Sequence, residues 1–286
     1  MRYFVLITGA SSGIGEAACK KLTEHGYEVL ACVRNEKDAA RLSMDNGAKL
    51  HPLIMDVTDL QSMVKSKEVA EKIIGDDILV ALVNNAGIVI AGTVLYIPLD
   101  QWQKQFDVNV LGVVRTIQLF FQLLVKKGRE PDSHPRRIIN MSSVSGLFAS
   151  PFVGPYAASK YALEALSDSL RRELYMYDIQ VVIIEPGSIN TPIWQKAKEN
   201  DLHSGSEYDS ITAYREKIID SNIRRSLPVE LVADRVLKSI SDQRVRNRYL
   251  IKSKAWKFNL IRMLPSAWVD RMIRKKLMNK SGFRPF

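Results

Sequence analysis

Short unbroken apolar runs alternate along the chain with longer segments in which apolar residues return every three or four positions. Phe4–Thr8, Glu28–Val33, Leu50–Met55, Ile78–Asn84, Arg137–Met141 and Ile179–Glu185 are such runs, and each precedes a helical pattern. A strand apolar on both sides is covered on both sides, the situation in a parallel sheet whose crossovers are helices. The pattern predicts an α/β fold of Rossmann type, a doubly wound parallel sheet. A seventh strand is expected at Arg248–Ile251, after a helix Val229–Ser241 that starts behind Pro228. Two stretches break the alternation. Lys126–Arg136, with Gly128, Pro131 and Pro135 among charges, reads as an exposed loop. Ser188–Leu227 is a long connection with a helix expected over Ser210–Asn222, and such connections are often lids or binding loops. No internal repeat, and no apolar run of the roughly 20 residues a membrane helix needs, is visible. We divide the chain into one domain over residues 1–253, which includes the connection 188–227, and a basic amphipathic helical tail over 254–286.

Composition narrows this little: 286 residues, 46% hydrophobic and 25% charged, exclude disorder and collagen-like repeats. Cys19 and Cys32 fall in a helix and a strand that read as buried, so neither a disulfide framework nor a Cys-based zinc site is expected. The four His have no metal-ligand spacing, and no metal is expected. Met1-Arg2-Tyr3 runs straight into the first strand, without room for a signal peptide, and a cytoplasmic location is expected. Charge changes the picture more. The net +10 comes entirely from Ser241–Phe286, where 13 Lys and Arg face only Asp242 and Asp270; the body carries a net charge of −1.

The candidate chemistry begins at Thr8-Gly9-Ala10-Ser11-Ser12-Gly13-Ile14-Gly15, between the first strand and a helix, where a pyrophosphate would meet backbone N–H groups and a helix N-terminus. Its spacing, G-x-x-x-G-x-G, departs from the commonest dinucleotide fingerprint, and alone it could be only a helix start. Together with Asn84-Asn85-Ala86-Gly87 after the fourth strand, the chain resembles the short-chain dehydrogenase/reductase family, in its hydroxysteroid and retinol dehydrogenase branch. Asp56, Asn109, Ser143, Tyr156 with Lys160, and Pro186-Gly187 leading to Thr191 follow in the family's order. The resemblance implies a nicotinamide dinucleotide held by Gly9, Ser11, Ser12, Gly13 and Ile14 at the pyrophosphate. It places Asp56 and Val57 at the adenine, Asn85, Ala86 and Gly87 at the adenosine ribose, and Pro186, Gly187, Ile189 and Thr191 at the carboxamide. For Asp56 a helix N-cap is an alternative role. Where relatives that use NAD carry an acid at the end of the second strand, this chain has Val33 and then Arg34, whose planar cation suits a 2′-phosphate. NADP(H) is therefore favoured over NAD(H), the alternative being a solvated Arg34.

Hydride transfer to a carbonyl needs a proton for the oxygen, and Tyr156 is the candidate acid and base. Lys160, four residues on and on the same helical face, should together with the positive nicotinamide ring lower the phenol's pKa and, by resemblance, hold the nicotinamide ribose. Ser143, 13 residues before Tyr156 as in the family it resembles, is preferred over Ser142 for the substrate oxygen. The resemblance of Asp107–Gly112 to the family's central helix implies a kink at Asn109 where its carbonyl holds a water leading protons to Lys160; a buried Asn bonding backbone is the alternative. Leu147, Phe148, Phe152, Val153, Ile193 and Trp194 give an apolar frame, with Phe148, Phe152 and Trp194 expected to touch substrate beside Ser143 and Tyr156. A lipophilic alcohol, ketone or aldehyde fits best, and the resemblance to the hydroxysteroid and retinol branch implies a steroid, a retinoid or a similar apolar carbonyl; a core role for half of these residues is the alternative.

A Ser hydrolase using Ser143 with His134 or His203 lacks the G-x-S-x-G elbow. A catalytically silent NADPH-binding sensor or scaffold is the remaining competitor. In the tail, Trp256, Phe258, Leu260, Ile261, Met263, Leu264, Trp268, Met272, Ile273 and Leu277 are interleaved with Lys and Arg and divided by Pro265. Residues 254–280 resemble a peripheral membrane anchor, though the apolar face could instead cover the substrate pocket or a second subunit. No specific nucleic-acid contact is expected. The family resemblance implies a homodimer or homotetramer.

Overall fold

The computed structural model describes residues 1–125, 134–195, 220 and 223–281, for 276–281 the backbone only. Seven strands, β1 (Tyr3–Thr8), β2 (Glu28–Val33), β3 (Leu50–Ile54), β4 (Ile78–Asn84), β5 (Arg136–Met141), β6 (Ile179–Pro186) and β7 (Arg248–Ile251), form one parallel sheet in the order β3-β2-β1-β4-β5-β6-β7. Each expected strand is present, displaced by at most one residue at an end. The helices are α1 (Gly13–Glu24), α2 (Glu36–Asn46), α3 (Leu60–Ile74), α4 (Leu99–Phe106), α5 (Gly112–Leu124), α6 (Gly154–Glu173), α7 (Glu230–Ser241), α8 (Ala255–Arg262) and α9 (Ser266–Ser281). The helix expected at Ser210–Asn222 and the loop 126–133 fall outside the described residues, apart from residue 220.

The unbroken apolar runs follow from two cores. Val5 and Ile7 of β1 pack with Cys19 and Leu22 of α1, Leu42 of α2 and Val236 of α7. Phe4 and Leu6, on the other face, pack with Met63 of α3, Phe120 of α5 and Leu163 of α6. Every second residue of a strand thus belongs to a different layer, and a polar residue at either is costly. At about 1.5–3 kcal/mol per buried large side chain, the covered strands dominate the stabilising side of folding. Both cysteines are buried and free, and burial pushes their thiols up, which keeps them inert.

One exception to apolar burial braces the fold. Arg137 of β5 is almost wholly buried, and its guanidinium donates to the carbonyls of Ser239 (3.2 Å) and Asp242 (3.1 Å) at the open C-terminal end of α7. A cation there satisfies orphan carbonyls and complements the helix dipole.

Helix α4, a wider π turn over Asp107–Leu111 and α5 make one continuous rod, Leu99–Leu124, long and apolar enough by composition to cross a membrane. The sequence reading saw no such run. In the fold this rod lies against β4 and α6, with Gln105, Asn109 and Thr116 fully buried on specific partners, the setting of a core helix. The sheet order reverses between β1 and β4, and the connections that leave their C-terminal ends turn to opposite sides there, leaving a crevice.

Candidate active site

The crevice starts as a stitched pair of turns. Thr8 Oγ1, at the end of β1, accepts from the N–H groups of Asn85 and Ala86, both at 3.0 Å. Asn85 Nδ2 returns the favour, donating to the carbonyls of Thr8 and Gly9 at 3.0 Å. The Asn85 side chain therefore holds the Gly-rich turn in place. Gly9 has φ +64°, and a Cβ there would stand 2.8 Å from Ala86 Cα; one on Gly13, φ +58°, would stand 3.0 Å from a methyl of Thr191. Only glycine fits either place. Ser12, at the N-cap of α1, makes no side-chain cap, so the first N–H groups of that helix are left for a ligand.

These turns open into a cavity of about 750 Å³ whose wall includes every residue assigned to the cofactor from the sequence: Gly9, Ser11, Ser12, Gly13 and Ile14, Arg34, Asp56 and Val57, Asn85, Ala86 and Gly87, Tyr156 and Lys160, Pro186, Gly187, Ile189 and Thr191. A glycine turn, an uncapped helix start and an elongated cavity of this size fit a dinucleotide. Three details were out of reach of sequence reasoning. Asp56 is not the cap of α3; Asp59 is, and Asp56 Oδ1 instead accepts from the Thr58 N–H and hydroxyl. Arg41, 30 residues from the turn, donates to the Ser11 carbonyl at 2.7 Å and pairs with Glu16, bracing the loop from outside. The two ends of the long connection pair with each other, Asn190 N–H to Leu227 O and Leu227 N–H to Ser188 O, both 2.9 Å, which sets Ile189 and Thr191 against the cleft.

Tyr156, Lys160, Ser142 and Ser143 line the same cavity. Tyr156 and Lys160 share a face of α6, Lys160 Nζ lying 5.8 Å from the Tyr156 ring centre and donating to Met141 O at 2.7 Å. Ser143 Oγ accepts from Ser145 N–H at 3.1 Å and donates to Pro186 O at 3.4 Å, whereas Ser142 Oγ is buried without a partner among the described residues. Burial pushes the Tyr156 phenol up, the nearby Ser143 hydroxyl acting against it, and burial brings Lys160 down to about 8. Within the protein alone, desolvation outweighs any pull of Lys160 on the phenol.

Asn109 does not line the cavity. It sits in the π turn, as a kink requires, but its side chain is fully used: Oδ1 accepts from Ile88 N–H at 2.9 Å, and Nδ2 donates to Ile88 O and Ser159 Oγ, both at 3.1 Å. It is a positioning residue that ties the central rod to α6 and to the segment that follows Gly87.

On the substrate side Trp194 lines the cavity and stands edge-on to Tyr156, ring centres 6.3 Å apart, with Val89, Ala91, Val153 and Ile193 packed around the phenol. Phe148 and Phe152 do not line it, against expectation. Phe148 turns to Phe258 of α8, and Phe152 occupies a φ +69° turn whose carbonyl accepts from Gly92 N–H at 2.8 Å. Gln101 and Lys104, on α4, do line it and were missed; no motif marks them. His134 stacks on Tyr3, whose strand begins at the far end of the sheet from the cleft, and supplies no base for Ser143; His203 lies outside the described residues.

Behind Lys160 lies a second polar cluster. Glu164, one turn further along α6, and Glu185 of β6 are buried around Arg248 of β7, at 3.1 and 3.6 Å, and Asp168 joins at 2.9 Å. An acid inside the otherwise apolar Ile179–Pro186 run was the available signal.

Comparison with known proteins points the same way. A profile of the short chain dehydrogenase family matches residues 3–202. The chain is 35% identical over 280 residues to the NADPH-dependent 3-dehydrocapnine reductase of Ornithobacterium rhinotracheale, covering 97% of this chain and 98% of that protein. It is 32% identical to 17-beta-hydroxysteroid dehydrogenase type 6 of Bos taurus, over 99% of this chain and 89% of that one. A solved short chain dehydrogenase/reductase from Burkholderia phymatum, in complex with NAD, shares the fold with TM-score 0.74 at 23% identity, over 87% of this chain and 88% of the other.

Proposed function

We propose, from the premise that the chain belongs to the short-chain dehydrogenase/reductase family, that it interconverts a lipophilic ketone or aldehyde and its alcohol with NADP(H). The observation that carries this reading is the meeting of Ser143, Tyr156 and Lys160 in one cavity, the Lys160 ammonium 5.8 Å from the Tyr156 ring centre, with an apolar wall around them. When bound, the reduced dinucleotide supplies the hydride that goes to the carbonyl carbon. Tyr156 Oη gives its proton to the carbonyl oxygen while the Ser143 hydroxyl hydrogen-bonds that oxygen, and the buried ammonium of Lys160 stabilises the phenolate left behind. Arg34, exposed at the rim and without an acid at Val33, supports NADP(H), as does the cofactor in the printed name of the reductase relative. Trp194, Val89 and Ile193 support an apolar substrate body, and Lys104 offers one cation for a polar end.

The test is a calorimetric titration with NADPH and NADH, followed by nicotinamide absorbance with a panel of apolar ketones and aldehydes, on the parent and on Tyr156→Phe. Tighter NADPH binding, turnover of at least one carbonyl by the parent, and a loss of about 10³-fold in Tyr156→Phe with NADPH affinity kept are expected. NADH binding more tightly would overturn the Arg34 reading. Absence of turnover across the panel, with NADPH tightly bound, would favour a sensor.

A further inference from the structure

The last two helices carry apolar side chains on two sides. On the inner side of α8, Phe258 is buried against Phe148, ring centres 6.3 Å apart, with the cations of Lys252 and Arg262 over its ring at 5.4 and 5.9 Å. That contact fastens the tail to the loop that leaves Ser143. The outer side has no cover. Trp256, Leu260 and Met263, spaced i, i+4, i+7 and so on one stripe, are exposed, Trp256 by 66% and Met263 by 83%. Beyond Pro265 the pattern repeats on α9, where Trp268, 61% exposed, and Met272 stand out while Val269 and Ile273 are partly covered. Exposed Lys254, Lys257, Arg271, Arg274 and Lys275 flank these residues, with Asp270 as the opposing charge on the same helices.

We propose that this outer face docks on an anionic lipid surface. Two tryptophans joined by Leu and Met suit the headgroup boundary, where the indole body is apolar and its N–H stays wet. The flanking cations draw the face to anionic headgroups over roughly one Debye length. A second copy of this chain is the poorer occupant, because a two-fold contact sets the same basic face against itself. Nucleic acid would use the cations but leave the Trp–Leu–Met stripe in water. The docking stands apart from the proposed reaction. Where both hold, the Phe258–Phe148 contact brings the Ser143 side of the molecule to the lipid.

The experiment is co-sedimentation of the full chain with vesicles of phosphatidylcholine alone and of phosphatidylcholine with about a third phosphatidylglycerol, read beside tryptophan emission. Two variants accompany the parent: Trp256→Ser with Trp268→Ser, and Lys257→Glu with Arg271→Glu and Arg274→Glu. Unchanged melting temperature and NADPH affinity show that each has folded. The parent is expected to bind the anionic vesicles about tenfold or more tightly than the neutral ones, with a blue shift in emission. Each variant is expected to lose about tenfold in binding, and the tryptophan pair to lose the shift. No binding to anionic vesicles overturns the proposal. So does a tryptophan pair that binds as well as the parent, since that is adsorption by charge alone, the mode in which nucleic acid would also bind. A concentration-dependent dimer that the tryptophan pair abolishes, with vesicles ignored, would assign the face to a second copy instead.

Discussion

One face of α6 carries Tyr156, Lys160, Glu164 and Asp168 at four-residue intervals, and its two halves treat buried charge differently. In the first half the ammonium of Lys160 has a backbone carbonyl for a partner and an open cleft beside it. In the second half Glu164 and Asp168, with Glu185 of β6, gather around the guanidinium of Arg248, Asp168 also pairing with Arg171 at 3.3 Å. Burial pushes both halves toward neutrality, Lys160 down to about 8 and Glu185, faced by Glu164, up to about 7. The neighbours separate them. The cleft half leaves its charge answerable to whatever enters, whereas the sheet half closes its own account through Arg248 and Arg262, with an oxygen of Glu164 and one of Glu185 still lacking a hydrogen bond. Desolvation acts alike along the helix, and what differs is whether compensation comes from the fold or from a ligand.

The largest effect that separates the halves is expected from Lys160→Met, which should lower turnover about 10³-fold while stabilising the unliganded protein by about 1–2 kcal/mol at pH 7. The sign follows from proton binding. The unfolded lysine keeps its proton up to 10.5 and the folded one only to about 8, so parent stability rises with pH between those values and the variant's advantage fades across the same window. Denaturant melts at pH 7 and 10 check this, and a destabilised variant at pH 7 would sink it. Next is Arg248→Gln, expected to cost about 2 kcal/mol near neutral pH by stranding Glu164 and Glu185, while Asp168 keeps Arg171; partial exposure of the arginine keeps the cost below that of a fully buried pair. The share of that cost owed to Glu185 should shrink as pH falls below about 7 and its carboxyl takes up a proton. Smaller again is Glu185→Gln, a gain of about 1 kcal/mol at pH 8. Here the folded carboxyl holds its proton to about 7 and the unfolded one to 4.5, so parent stability falls as pH rises through that window. Lys160→Met and Glu185→Gln should therefore flatten slopes of opposite sign, and equal slopes would break the comparison.

The sheet and the cleft's cofactor wall were legible because their causes are local. A strand covered on both faces shows as an unbroken run whatever covers it, and a turn that needs Gly9 or Gly13 shows as glycine. Tyr156 and Lys160 were readable as a pair since four residues make one helical face. What escaped depends on separate elements meeting. Arg248 reaches Glu164 across 84 residues and Arg41 reaches Ser11 across 30, with no spacing to announce either. Phe148 and Phe152 were misassigned for a related reason: an aromatic beside a site has many ways to be covered, and Phe148 found the tail. The bracing role of Asn85 escaped for the same reason, since the acceptors of its amide lie at the end of β1 and in the turn after it.

The smallest expected effect sharpens the contrast at its finest scale, between neighbouring serines. Ser143 Oγ accepts from Ser145 N–H at 3.1 Å and meets Tyr156, while Ser142 Oγ is buried with no partner among the described residues. Removing a hydroxyl that already bears its desolvation cost without a bond relieves that cost, so Ser142→Ala should change stability by no more than about 0.5–1 kcal/mol, on the stabilising side. The space is tight, a Cβ on Gly146 standing 2.9 Å from that oxygen, and alanine leaves no cavity large enough to offset the gain. Turnover should stay within about twofold of the parent, against a loss of about 10²-fold for Ser143→Ala, whose hydroxyl we propose meets the substrate oxygen. Steady-state rates on the two variants decide it, and a large loss in Ser142→Ala with Ser143→Ala intact would move the substrate oxygen to the other serine.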